Sequence, residues 1–252
     1  MIALVGSGEY LPAMEPVDRN LLARLTEPAR VVCLPTAAGT EGPERIDYWA
    51  RLGVDHFQRL GVAAQSVPVI DRASAENADY ATMVESASFV YLSGGKPDYL
   101  YQSLAGSAVW AAIETVLARG GILAGCSAGA MILGEKFFGF PGWRQGFGYV
   151  PGATIIPHFD EIPALMVQSM RLFAGDMTVL GIDGNTALVH HSAGYEVVGA
   201  GGITVWNTTN HYLNFYNSPY FSLTRGQVFA TNASPASHCN NAAATISQPH
   251  PD

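Results

Sequence analysis

The chain has 252 residues, of which 48 % are hydrophobic and 13 % charged, with a formal net charge of −8. This fits one α/β domain with a full core and excludes a disordered chain. The acidic balance, without a basic block, argues against nucleic acid or an anionic membrane surface as partner.

Cys33, Cys126 and Cys239 are odd in number and widely spaced, so neither a disulfide framework nor a zinc site is expected. Ile2-Ala3-Leu4-Val5 enters a strand at once, without a basic region and a signal-length apolar run before it. No apolar run approaches the ~18 residues of a membrane span. A cytoplasmic location is therefore expected.

The first strand ends in Gly6-Ser7-Gly8-Glu9-Tyr10. Its Gly-x-Gly lacks the third glycine of a dinucleotide loop, and no acidic residue ends a second strand at the required distance. A helix is expected over 15–28, with Leu21, Leu22 and Leu25 on one face. Arg30 to Pro35 reads as a strand, with a loop from Thr36 to Thr40 at its carboxyl end. Residues 43–60 read as a helix offering Trp49, Leu52 and Phe57 for packing. Ala64 to Ile70 reads as a strand and 74–85 as a polar helix.

Ser88 to Leu92 is the next strand, ending in Ser93-Gly94-Gly95-Lys96-Pro97. A glycine pair at that position lets a ligand approach the backbone closely. In an open parallel sheet this edge is where ligands bind. The Gly95 N–H is thus a candidate oxyanion donor, with a plain turn as the alternative. Residues 98–118 carry one or two helices.

The central stretch follows: Gly120-Gly121, the apolar run Ile122-Leu123-Ala124, then Gly125-Cys126-Ser127-Ala128-Gly129. It reads as a buried strand, a sharp turn and a helix start. Gly-x-Ser-x-Gly in this context describes a nucleophile elbow, with small residues permitting the turn. Ser127 would project from the top of the sheet, and the Ala128 N–H would face a developing oxyanion. Cys126 is one residue out of register and reads as a packing thiol.

Phe137 to Gly148 reads as a loop or flap, in which Trp143 and Arg144 either wall a substrate site or cover the core. Ala153 to Pro157 is a strand followed by His158-Phe159-Asp160-Glu161, and 162–174 is a helix. Val179 to Ile182 is a strand ending in Asp183-Gly184-Asn185. The segments 187–190, 196–198 and 203–206 read as a meander of short antiparallel strands. From about Gln227 the composition turns to Ala, Ser, Asn, His and Pro, so the domain is placed at 1–226 and a flexible tail at 227–252. A serine nucleophile needs a base, and His158, directly after a strand, is the best candidate.

These pieces together resemble the peptidase E (aspartyl dipeptidase) and cyanophycinase family of serine peptidases. The matching segments are Leu92-Ser93-Gly94-Gly95, Ala124-Gly125-Cys126-Ser127-Ala128-Gly129-Ala130, Pro157-His158-Phe159-Asp160 and Gly181-Ile182-Asp183-Gly184-Asn185-Thr186-Ala187. The resemblance implies a three-layer α/β sandwich of the class I glutamine amidotransferase type, flavodoxin-like, with a mainly parallel sheet and a small antiparallel appendage. It also implies Ser127 as nucleophile, His158 as base, and Gly95 and Ala128 as oxyanion donors. The implied partner is a small peptide or peptide-like substrate, which in this family includes Asp-containing peptides; Lys96, Arg144 and Arg171 are candidates to recognise an acidic group, or are solvated surface charges. No cofactor or metal is implied, and a homodimer is the assembly considered.

One departure bears on mechanism. Where the family carries a Glu as third member of the triad, this chain has Gly184. Loss of the orienting carboxylate from a Ser-His-Asp system lowers turnover on the order of 10⁴-fold. Asp183, Asp160, Glu161 and Glu135 are the candidate replacements. Two other readings stay open: a weak or inactive homologue that binds a peptide or metabolite, and an esterase or acyl transferase using the same elbow.

Overall fold

Alternation of side chains along the first strand, β1 (Ile2–Val5), divides it between two cores. Ile2 and Leu4 join one buried cluster, and Ala3 and Val5 join the other. The same division holds in β2 (Arg30–Leu34), where Val32 and Leu34 oppose Val31 and Cys33, and in β4 (Phe89–Leu92), where Val90 and Leu92 oppose Phe89 and Tyr91. Strands that bury both faces belong in a parallel sheet covered on both sides. In the computed structural model β1, β2, β3 (Ala63–Ser66), β4 and β5 (Ile122–Cys126) form such a sheet, parallel throughout, in the order β1-β5-β4-β2-β3.

The structure describes residues 1–206 except Phe140, Ser192 and Ala193, together with the backbone strands at 212–216, 221–224 and 227–230; the side chains of those three strands and of Ala164, Gln168, Arg171 and Leu172 are not among what is described. One face of the sheet is covered by α1 (Glu15–Leu22) and α2 (Pro43–Arg59), which contribute Val17, Leu21 and Phe57 to the core. The other face is covered by α3 (Arg72–Ala75), α4 (Ala78–Glu85), α5 (Pro97–Leu104) and α6 (Ala108–Ala118), which contribute Ala75, Val84, Leu100 and Ile113. The break between α5 and α6 has a local cause. Gly106 takes a φ of +68°, and the Ser107 hydroxyl caps α6 by accepting the Trp110 N–H at 3.1 Å. This is the expected three-layer α/β architecture.

Beyond β1 the sheet turns antiparallel through β10 (Thr186–His191), β11 (Gly194–Gly199), β14 (Phe221–Thr224) and β15 (Gln227–Ala230). Gln227–Ala230, at the start of the expected tail, is thus a strand; 231–252 lie outside the described residues. The expected meander is divided. While β10 and β11 extend the main sheet, β12 (Gly202–Trp206) pairs with β9 (Thr178–Ile182) in a second sheet ordered β13-β12-β9-β8, with β13 at Tyr212–Tyr216 and β8 at Ala153–Ile156. The strand before His158 therefore lies in a different sheet from the strand before Ser127.

The expected loop after the central stretch contains a hairpin, β6 (Lys136–Gly139) with β7 (Gly142–Gln145). Its first strand alternates exposed and buried residues, with Phe137 fully buried and Phe138 outward. Two helices complete the framework around the site, α7 (Ala128–Met131) and α8 (Ala164–Ala174). Among the described residues no helix is long and apolar enough to cross a membrane.

Candidate active site

Ser127 stands where β5 leaves the carboxyl edge of the sheet and α7 begins. Strand and helix meet backbone to backbone: a Cβ on Gly125 would lie 2.4 Å from the Gly129 carbonyl oxygen, so only glycine fits. The turn places Ser127 at φ 50° and ψ −110°, a conformation that a serine rarely adopts. It is held there from both sides. The Ser127 N–H donates to the Val5 carbonyl at 3.0 Å, and its own carbonyl accepts the Met131 N–H at 3.0 Å.

His158 follows β8 and also has positive φ, here in the left-handed conformation at φ 53° and ψ 34°. Its Nε2 lies 3.3 Å from Ser127 Oγ, a loose hydrogen bond of the kind found in unliganded sites. Among the described residues four non-glycine positions have positive φ: Tyr10, Ser127, His158 and Asn185. Tyr10 follows the β1 loop and Asn185 the β9 strand, and that loop and turn pack on each other, the Asn185 N–H donating to the Ser7 carbonyl at 3.1 Å. Backbone strain of this kind gathers where a fold over-determines a functional geometry.

Facing Ser127 is the loop after β4. Gly95 has a φ of +144°, and a Cβ there would lie 2.5 Å from the Ala37 carbonyl oxygen. The adjacent Lys96 N–H donates to that same carbonyl at 2.9 Å, fixing the loop. The Gly94 N–H is engaged by Glu9, whose Oε1 accepts it at 2.8 Å. The Gly95 N–H has no acceptor among the described hydrogen bonds. Ala128 opens α7, so its N–H has no intrahelical partner.

Glu9 was not singled out in the sequence. It is buried at the end of the β1 loop, and its second oxygen, Oε2, receives the Cys126 thiol at 3.0 Å. One carboxylate thus ties the glycine loop to the residue preceding Ser127. The available signal was an acidic residue just beyond the carboxyl end of a strand adjacent to the central one. Burial, reinforced by the Glu9 charge, pushes the Cys126 thiol well above its ordinary pKa. A buried protonated thiol is a poor nucleophile.

The four candidate acids separate clearly. Glu161 Oε2 is 3.3 Å from His158 Nδ1, with the imidazole 42 % and the carboxylate 63 % exposed. Asp160 Oδ1 instead accepts the Gly184 N–H at 2.7 Å. Asp183 Oδ2 accepts the Gly202 N–H at 2.8 Å, and Glu135 Oε2 accepts the Gly152 N–H at 2.6 Å. These three serve backbone groups, while Glu161 reaches the imidazole from one turn along the same segment.

The candidate recognition residues are also engaged. Lys96 Nζ donates to Thr40 Oγ1 at 2.9 Å, and Arg144 Nε pairs with Asp98 Oδ1 at 3.3 Å. The Arg171 side chain is outside what the structure describes. Among the described residues no group of three or more His, Cys, Asp or Glu is arranged to hold a metal ion.

Comparison with known proteins agrees with this architecture. The profile of Peptidase family S51 matches residues 2–198. The crystal structure of a peptidase from an acI-B1 Actinobacterium is similar at 32 % identity and a TM-score of 0.75, covering 91 % of this chain and 96 % of that one. A protein assigned as peptidase E from Listeria monocytogenes EGD-e shares the fold at 16 % identity and a TM-score of 0.54, covering 82 % of this chain and 97 % of that one. A search of curated proteins gave no match. With its profile match spanning most of the chain, the protein belongs to peptidase family S51, the peptidase E and cyanophycinase family, and is a peptidase-type hydrolase.

Proposed function

We propose that the chain is a serine peptidase of short peptides, with Ser127 as nucleophile, His158 as base and Glu161 as the group that orients the imidazole. The observation that carries this reading is the 3.3 Å approach of His158 Nε2 to Ser127 Oγ, made by two non-glycine residues held at positive φ. As Oγ bonds the scissile carbonyl carbon, its proton passes to Nε2. The carbonyl oxygen becomes an oxyanion between the Gly95 and Ala128 N–H groups. Collapse breaks the C–N bond, and the leaving amine takes the proton from Nε2. Water then attacks the acyl-enzyme, gives its proton to His158, and releases the acid as Ser127 recovers its hydrogen.

Glu161 would hold the Nδ1 hydrogen and stabilise the imidazolium. Its exposure weakens this relative to a buried triad acid, so turnover would be slower than in a complete buried triad. The same elbow would also cleave an ester, but the family match favours a peptide bond. Hydrolysis of a dipeptide set, followed by chromatography, tests the reading. Turnover that disappears in both Ser127→Ala and His158→Ala supports it; equal turnover in wild type and Ser127→Ala overturns it.

A further inference from the structure

A cavity of about 430 Å³, within the range of ligand pockets, is lined by residues that adjoin Ser127 and His158 in the chain, while neither of those two is itself in its wall. Met131 is the last residue of α7, one turn after Ser127 and bonded to it through the backbone, and Pro157 directly precedes His158. Phe138 and Trp143 of the hairpin, Met166, Met170 and Phe173 of α8, and three isoleucines extend the apolar lining. The hairpin is tied to the end of α8 by the Trp143 indole N–H, which donates to the Phe173 carbonyl at 2.9 Å.

The lining chemistry is one-sided. Thr154 and Ser169 are its polar residues, and no described lining residue is charged. The rim leaves large apolar side chains in solvent, with Phe138 at 56 %, Met166 at 53 % and Phe173 at 68 % exposure. Clustered exposure of this kind around a cavity marks a binding site. The three methionines are flexible and polarizable, and so accept apolar shapes of varied outline.

We infer that this cavity is a substrate subsite for a large apolar or aromatic side chain next to the scissile bond, so that the enzyme prefers peptides with Phe or Leu there over Ala or Asp. The inference rests on the Ser127–His158 hydrolase reading. Of the charged candidates, Lys96 and Arg144 hold partners elsewhere and neither lines the cavity, while the Arg171 side chain lies outside what the structure describes. The preference expected over Ala is at least about ten-fold, because each added methylene in an apolar pocket is worth roughly 10–200-fold in discrimination.

The test compares kcat/KM for Phe-Ala, Leu-Ala, Ala-Phe, Asp-Ala and Ala-Ala in wild type and in Met166→Glu, a change at an exposed rim position. A fluorophosphonate label on Ser127 is read in parallel. The expected result is a ten-fold or greater preference for the apolar residue on one side of the bond, with the apolar-to-Ala ratio collapsing in Met166→Glu. Labelling of Ser127 with no apolar preference, or with Asp-Ala ahead of Phe-Ala, overturns the subsite while the hydrolase reading stands. Absence of both labelling and hydrolysis removes the hydrolase reading instead. The cavity is then judged by N-phenyl-1-naphthylamine fluorescence: displacement of the probe by Phe-Ala but not Asp-Ala supports the ligand class, and no probe binding overturns it.

Discussion

Asp160 accepts the backbone N–H of Gly184 at 2.7 Å, and its carboxylate lies in van der Waals range of a side chain placed at position 184. A Cβ on Gly184 would lie 2.9 Å from Ser7 Oγ and 3.5 Å from Asp160 Oδ2. The acid missing from position 184 and the acid present at position 160 are therefore linked: restoring the first places two carboxylates together. Gly184→Glu alone should give no gain in kcat and should lower the thermal midpoint, whereas Gly184→Glu with Asp160→Ser should outperform the single variant. A ten-fold rise in kcat from Gly184→Glu alone would show that the space is open.

Glu161 is the carboxylate at the imidazole. Glu161→Ala should lower kcat by about 10–100-fold, less than the ~10⁴ lost from a buried triad. The smaller effect follows from exposure, since water and salt screen the pair. The gap between wild type and variant should narrow at 1 M salt. Steady-state kinetics at two ionic strengths measures both effects, and an unchanged kcat in Glu161→Ala would remove Glu161 from the mechanism.

Glu9 holds the glycine loop through Gly94 and the nucleophile strand through Cys126. Glu9→Gln keeps an oxygen acceptor for the Gly94 N–H and should retain most activity. Glu9→Ala leaves that N–H buried and unmet, a loss of about 1–3 kcal/mol in stability. Its kcat should fall by roughly ten-fold while KM changes little, as expected when oxyanion stabilisation is disturbed. Denaturant titration alongside kinetics separates the two effects. Equal kcat in the Gln and Ala variants would reduce Glu9 to a packing residue.

Asp183 gives a pH-dependent signature. Burial raises its carboxyl pKa, the Gly202 N–H opposes that shift, and the neighbouring Asp160 charge adds to it. A carboxyl whose folded pKa lies above its unfolded value binds its proton more tightly in the fold. Its contribution to stability is therefore greatest at acid pH and declines as pH rises from the unfolded value through the raised folded one. Asp183→Asn keeps an acceptor for Gly202 but does not titrate. Stability measured from about pH 4 to 6 should shift in favour of the variant as pH rises; a shift the other way would contradict the assigned direction.

Much of this was legible because it was local. The apolar run before Ser127 and the small residues around it encode a strand and a tight turn within a dozen positions, and the structure adopts both. The period-two alternation in β1 and β2 likewise encodes two buried faces. What the sequence withheld were pairings across distance. Nothing near Ala153–Ile156 states that its neighbour is Thr178–Ile182 rather than a strand of the main sheet. Strand partners depend on packing made after the chain returns. Glu9 escaped notice for the same reason, since its partners lie 85 and 117 positions away. The choice of Glu161 among four acids required the turn that follows His158, whose left-handed φ no residue type at that position announces.

The proposed mechanism makes Ser127, activated by His158, the nucleophile. It is tested most directly by mass spectrometry of the protein after reaction with a fluorophosphonate. One adduct is expected on the peptide containing Ser127 in wild type, at a rate much reduced in His158→Ala and with Cys126→Ala still labelled. An adduct carried by Cys126, or none at Ser127 in the folded wild-type protein, would contradict it.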